Sequence, residues 1–334
     1  MNNRGSRFGP GAEFDLITRL HDFDSSLPPG VSLGPGDDAA VLEGGWVVST
    51  DLCVEDVHFR REWITDQEVG YRAATAALSD MAAMAAVPVG LLVSIAGQRE
   101  GAFDLEQVQA GIADAAVKVG ASVIGGDISA SPGPLMVDVV ALGKSTSPVR
   151  RDGAKSGGEV WVTGSLGSSA AAVRVWRDGG TPTEALRSAF ATPAARVNEA
   201  LYIAKDLFAH AMIDISDGLI GDVGHIAASS GVKITLSALD IPVGRAAIDH
   251  FGRTEALRDA LAGGEDYELC FVTAPGIVDP LHFLDRYGVT VTKVGSVSEG
   301  EGVWLKEEDG TLSGVVRGGF DHWAVEDRVT EREG

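Results

Sequence analysis

Strand-like and helix-like segments alternate along the chain, break at "STSPVRRDGAKSGGE" near residue 148, and then start alternating again. This double alternation limits the fold more than any other feature. It selects α/β or α+β architectures, in which sheets are covered by helices. In the first half, "GWVVSTDLCV" reads as a strand running into a turn. "TDQEVGYRAATAALSDMAAMAA" reads as a long helix capped by Thr65 or Asp66, with Pro88 after its end. "VGLLVSIAG" is expected as a strand, "DLEQVQAGIADAAVKVG" as a helix ended by Gly120, "SVIGGD" as a buried strand and "PLMVDVVALGK" as another strand. A short amphipathic helix, "AEFDLITRLHDF", precedes them. In the second half, "VWVTG", "AMIDIS", "VKITL", "YELCFVTA", "VTVTKVGSV" and "GVWLK" read as strands. Helices are expected near 167–178, 194–209 and over "DGLIGDVGHIAASSG". A length of 334 residues suits two domains, and the Ser-, Gly- and Pro-rich break sets them at 1–148 and 149–334.

The formal net charge of −21 argues against nucleic acid or an anionic membrane as the main partner, since both require basic patches. A polyanionic substrate would also be repelled unless metal ions lay between it and the protein. The start, "MNNRGSRFGPGAEF", lacks a signal-peptide core, and no apolar run is long enough to span a bilayer, so a cytoplasmic location is expected. Cys53 and Cys270 form no disulfide framework or zinc motif. "ALGKST" resembles the tail of a P-loop, but Asp138 stands where that motif needs glycine. "GPGDDA" half-matches a dinucleotide fingerprint, yet it would turn two carboxylates toward a pyrophosphate. No histidine lies in a recognisable nucleophile elbow or zinc motif.

Aspartates are left as the carriers of chemistry. Asp37 and Asp38 sit in "GPGDDAAV", Asp51 ends "VVSTD", Asp80 lies in "LSDMAAM", Asp127 ends "VIGGD", and Asp214 and Asp217 frame "DISDG". Each lies where an apolar element meets a loop, or inside an apolar helix. Each also has an ordinary reading. Ser216 or Asp217 suits a helix N-cap, Asp80 a cap for a helix restarting at Met81, Asp127 a turn, and Asp37–Asp38 a solvated loop. Together they point elsewhere. Carboxylates at strand ends gather on one edge of a sheet, where α/β folds bind ligands. Mg2+ is held by one or two carboxylates with waters and substrate phosphates, so several ions need several scattered aspartates.

The motifs "GPGDDAAV", "STDLCVEDVHF", "LSDMAAMAAVP", "IGGDIS", "RDGAKSG", "VTGSLG", "IDISDGL" and "GGEDYEL" occur in that order from residue 34 to residue 269. With this set the chain resembles the thiamine-monophosphate kinases. Their superfamily includes aminoimidazole ribonucleotide synthetase and selenophosphate synthetase. The resemblance implies a two-domain, PurM-like α/β (α+β) fold whose N-terminal domain binds ATP and metal and contributes strands to a barrel at a homodimer interface. The C-terminal domain would complete the active site. It also implies transfer of the ATP γ-phosphate to thiamine monophosphate, with several Mg2+ ions. Carried over by motif, Asp38, Ser49, Thr50, Asp51, Asp80, Asp127, Asp214 and Asp217 would hold metal. Gly126, Asp127, Arg151 and Ser216 would contact ATP, with Asp127 and Arg151 as the catalytic pair. His58, Glu265 and Phe320 would contact the acceptor. Asp56 stands where the family usually has glycine.

An acceptor phosphate has its second pKa near ~6 and is already nucleophilic at neutral pH, so no general base is required. The remaining obstacle is repulsion between two anions, which bridging cations and one fixed arginine would offset. The permanently cationic thiazolium ring suits an aromatic face such as Phe320 and an acid such as Glu265. The alternatives are another ATP-dependent enzyme of the superfamily, acting on a formylglycinamidine substrate, and a nucleotide-binding regulator without turnover. Selenophosphate synthesis is disfavoured, because no cysteine lies in the N-terminal glycine-rich segment.

Overall fold

The computed structural model describes residues 16–17, 19–20, 26–99 and 103–315. The helix expected at 12–23 falls largely outside them, and Phe320 wholly so. Two sheets organise the chain. The first uses β1 (Val31–Leu33), β2 (Ala40–Leu42), β3 (Trp46–Val54), β4 (Val87–Gly97), β5 (Val123–Ala130) and β6 (Met136–Lys144), in the order β1-β2-β3-β6-β4-β5. Only β4 and β5 run parallel. Helices α1 (Asp66–Ala83) and α2 (Leu105–Lys118) belong to this lobe.

The second sheet uses β7 (Glu159–Thr163), β8 (Ala211–Asp214), β9 (Lys233–Ser237), β10 (Leu269–Thr273), β11 (Val291–Ser298), β12 (Gly302–Lys306) and β13 (Leu312–Val315). Their order is β13-β12-β9-β11-β7-β10-β8, and only β12 and β9 are parallel. This lobe carries α3 (Ser168–Arg177), α4 (Glu184–Ala191), α5 (Val197–Lys205), α6 (Leu219–Ser230), α7 (Arg245–Phe251), α8 (Arg253–Ala262) and α9 (Pro280–Tyr287). No described helix is long and apolar enough to cross a membrane.

Helix α1 is the hub. Thr65 and Glu68 form a reciprocal capping box that fixes its start. Its Ala-rich body is buried almost all round, because it packs on β3 and β6 on one side and on α4, α5 and β8 of the other lobe. A helix apolar on every face needs neighbours on every face. α1 and α2 approach nearly backbone to backbone. A Cβ on Gly70 would stand 1.8 Å from the Val108 carbonyl oxygen, and one on Gly111 would stand 1.7 Å from that of Gln67. Other contacts join the lobes. Glu68 receives both arms of Arg187 at 2.8 and 2.5 Å, and Trp63 stacks on Trp176 with ring centroids 5.2 Å apart.

Two expectations need correction. "SVIGGD" is not a buried strand: β5 pairs only with β4, forms the sheet edge and is mostly exposed, with Ile124 and Ile128 at 57% and 70%. Its apolar residues line an exposed sheet edge, not core. Asp51 does not end its strand, since β3 runs on to Val54.

Candidate active site

Three separate stretches deliver carboxylates to one point between the lobes. Asp38 closes the glycine loop, Asp80 rides in the last turn of α1, and Asp214 ends β8. Asp38, Asp80 and Asp214 each offer a ligand oxygen, all within 4.8 Å of one another. Helix α1 runs unbroken past Asp80, so this residue caps nothing. Hydroxyls hold the group in place. Ser79 donates to Asp214 at 2.7 Å, while Ser49 hydrogen-bonds Asp80 and reaches the Asp38 carbonyl at 3.4 Å. Period-two alternation puts Asp51 on the same face of β3 as Ser49. Its charge is felt by both Asp80 and Asp214.

The electrostatics are those of a buried acidic cluster that Arg72 and Arg151 offset only in part. Burial, then the Glu265 charge, pushes Asp51 up to about 7, with Arg72 opposing. Burial, then Asp38, pushes Asp214 up to about 8. Asp80 is held well above the usual carboxylate range by burial and by Asp214, Asp51 and Asp38. Asp37 is raised to about 7 by burial and Asp38, with Arg151 opposing. Arg151 is the cation at the rim. Its Nε and Nη2 donate to the two Asp38 oxygens at 3.2 and 2.7 Å, and its backbone N–H reaches Asp37 at 3.3 Å. One guanidinium thus faces Asp37, Asp38 and Asp214. Adjacent like charges in a buried loop are tolerated when opposite charge lies against them. The donor set is all oxygen, which fits a hard divalent cation such as Mg2+.

A second group lies where α6 begins. Asp217, Asp222 and His225 bring ligand atoms within 4.8 Å of one another. The N-cap reading for Ser216 or Asp217 does not hold. Gly218 takes that position without a side-chain bond, and Asp222 accepts the N–H groups of Asp217 and Gly218 at 3.2 and 3.1 Å.

Thr50, Gly126 and Asp127 are not brought to the cluster within one chain. Thr50 points to the opposite face of the sheet and donates to Asp138 at 2.8 Å. Asp127 is in register with Ser94, Asp138 and Leu52, on that same open face. Three strand spacings separate β5 from β3, roughly 14 Å. Gly126 leaves no room for a side chain, since a Cβ there would meet the Val93 carbonyl at 1.9 Å.

His58 accepts the Val54 N–H at its Nδ1, 3.0 Å away, in the turn after β3. In that turn Asp56 has φ 65°, a left-handed conformation that explains the glycine usual at this position. Glu265 lies close enough to the cluster for its charge to raise Asp51. Its loop packs directly on "DISDG", since a Cβ on Gly264 would meet the Ser216 carbonyl at 2.3 Å. Glu265 is ion-paired to Arg72, and Tyr267 donates to it at 2.6 Å. Sequence reading missed Arg72, Ser79, Asp222 and His225. For Arg72 the available signal was a lone arginine in an apolar helical run. Both cysteines are buried, and burial raises both thiols, Cys53 to about 12, so neither is a reactive thiolate.

Comparison with known proteins agrees with this layout. Residues 36–145 match the N-terminal domain of AIR synthase related proteins, and residues 155–306 match their C-terminal domain. The thiamine-monophosphate kinase of Rhodopirellula baltica is 34% identical over 309 residues, covering 88% of this chain and 92% of that protein. That of Mycobacterium tuberculosis H37Rv is 38% identical over 271 residues, covering 78% and 80%. Among solved structures, AaThiL complexed with AMPPCP and TMP matches with a TM-score of 0.79 and 30% identity, covering 94% of this chain and 97% of that one.

Proposed function

The chain belongs to the AIR synthase related family, in its thiamine-monophosphate kinase branch, and from that membership we propose that it transfers the γ-phosphate of ATP to thiamine monophosphate, yielding thiamine diphosphate. The observation that carries the reading is the meeting of Asp38, Asp80 and Asp214, from three separate stretches, in a buried site that disfavours the negative charge of Asp80 and Asp214. Such a site binds cations. Asp38, Ser49, Asp51, Asp80 and Asp214 are the residues we assign to magnesium, with Asp217 in the neighbouring group. Bound there, magnesium ions would neutralise the phosphates of donor and acceptor.

The protein's own contribution is positioning. Arg151, with a planar fork suited to two oxygens, would turn from Asp38 to a donor phosphate once cations satisfy the aspartate. Ser216, beside Asp217, is assigned to the nucleotide. His58 and Glu265 are assigned to the acceptor. The acceptor phosphate is its own nucleophile, so the site needs no base.

Thr50 and Asp127 belong to this scheme across a homodimer interface. The open sheet face carries exposed Leu52 and Leu92, and the edge strand exposed Ile124 and Ile128, an apolar surface suited to a second copy. A partner seated on that face would present its own Asp127 near Thr50. An assay with ATP, Mg2+ and thiamine monophosphate tests the proposal, and thiamine diphosphate with stoichiometric ADP is the expected product. ADP release with a formylglycinamidine acceptor only would transfer the chain to another activity of the superfamily. Tight ATP binding without turnover would make it a regulator.

A further inference from the structure

Arg72 is only 1% exposed, between Val69, Gly70 and Tyr71 on one side and the Ala-, Thr-, Leu- and Ser-containing run of α1 on the other. Removing a guanidinium from water costs several kcal/mol unless its partners are well placed, and an alkyl side chain would pack there more cheaply. Its partners are all in the other lobe. Nη1 donates to the Phe190 carbonyl at 2.6 Å, the guanidinium lies 3.8 Å from the centroid of the Phe190 ring, and Nη2 is ion-paired with Oε2 of Glu265. The Tyr267 hydroxyl donates to that same Oε2. Oε1 of Glu265 is engaged by neither.

The loop so gripped is strained. Glu265 and Tyr267 have φ of 64° and 52°, in the left-handed region that costs a non-glycine residue about 1–3 kcal/mol. Their N–H groups bond the carbonyls of Ser216 and Ile215 at 2.7 and 2.9 Å, so the loop is locked to the nucleotide-side motif as well. Strain of this kind persists when outside contacts hold it.

We propose that Arg72 is a positioning residue for the acceptor subsite: by holding Oε2 of Glu265 from the opposite lobe, it turns Oε1 toward the cationic heteroaromatic ring of the acceptor. This rests on the kinase reading above. Arg72 touches no substrate and acts through Glu265. Lysine cannot replace it, because one ammonium cannot serve both the Phe190 carbonyl and Glu265 while stacking on the ring.

Steady-state kinetics of Arg72→Met, Arg72→Lys, Glu265→Gln and the double variant Arg72→Met/Glu265→Gln, with melting curves for each, test the proposal. Arg72→Met should raise KM for thiamine monophosphate about 30-fold or more while KM for ATP stays within about threefold. Arg72→Lys should fall between it and the parent. The double variant should be within about threefold of Glu265→Gln alone, since residues acting as one unit do not add. Equal rises in both KM values, or a double variant showing the product of the single losses, would overturn the assignment. Should Arg72→Met not fold, Arg72→Lys decides, and a parental KM for the acceptor would refute it. A parent protein inactive on thiamine monophosphate would instead refute the kinase reading, so the two failures are distinguishable.

Discussion

Metal-free protein should lose stability as pH rises, and magnesium should cancel that loss. Asp51 is raised to about 7 and Asp214 to about 8, whereas the same carboxyls in an unfolded chain ionise near ~3.9. Between those limits the native state keeps protons that the unfolded state has released. Stability therefore falls as pH climbs from about 4, and levels off once the native carboxyls have ionised at about 8. Each pH unit over which the states differ by one proton is worth about 1.4 kcal/mol, so Asp51 alone contributes a loss of about 2.7 kcal/mol between about pH 5 and its midpoint. The 334 residues imply an unfolding entropy near ~0.7 kcal/mol per kelvin, which converts that loss to about 4 °C in Tm. Calorimetric scans in chelator at several pH values would show the decline. In saturating Mg2+ the curve should flatten, because cations bind the ionised cluster and their stabilisation grows with pH. Asp51→Asn should remove its share of the decline in chelator. A Tm that is constant or rises with pH in chelator, or a magnesium increment independent of pH, would refute the picture of a buried acidic cation site.

Arg151→Gln should raise KM for ATP about tenfold or more and leave KM for the acceptor within about threefold, as read by initial rates; the reverse pattern would move Arg151 away from the nucleotide. Asp127→Asn and Thr50→Val should each lose most activity alone, yet after mixing and subunit exchange recover about a quarter of parental activity, since half the dimers would carry one intact site. No recovery would mean that Asp127 acts within its own chain. Gly111→Ala puts a methyl group 1.7 Å from the Gln67 carbonyl, and should cost about 1–3 kcal/mol in denaturant titrations while kcat per folded molecule stays near parental.

The sequence revealed residue types and element ends better than facing and partnership. Asp38, Asp80 and Asp214 could be singled out because each lies beside or inside an apolar element, but strand-end geometry accounts for Asp214 alone, since Asp38 comes from a loop and Asp80 from a helix. The long helix was legible from its cap and Ala-rich body. Ser49, Thr50 and Asp51 were grouped as one metal set, although alternation along β3 sends Thr50 to the opposite face, where it finds Asp138. Asp127 sits on an edge strand whose apolar residues read as core, because apolar composition alone does not tell an exposed sheet edge from a covered strand. Arg72 carries no motif. Its meaning lies in contacts 118 and 193 positions away, with Phe190 and Glu265, that no local pattern encodes.

Helix α1 carries Ser79 and Asp80 to the aspartate cluster and Arg72 to Glu265. The eight residues from Arg72 to Asp80 correspond to about 12 Å of axial rise, and a helix clamped on every side can neither stretch nor shorten. It therefore works as a caliper. On the kinase reading, an acceptor anchored by its ring beside Glu265 would meet cations at Asp80 only if its reacting oxygen lay one phosphate beyond the alcohol. Unphosphorylated thiamine would then sit in the same jaws and stop short, so molecular length would add to chemistry in excluding the alcohol.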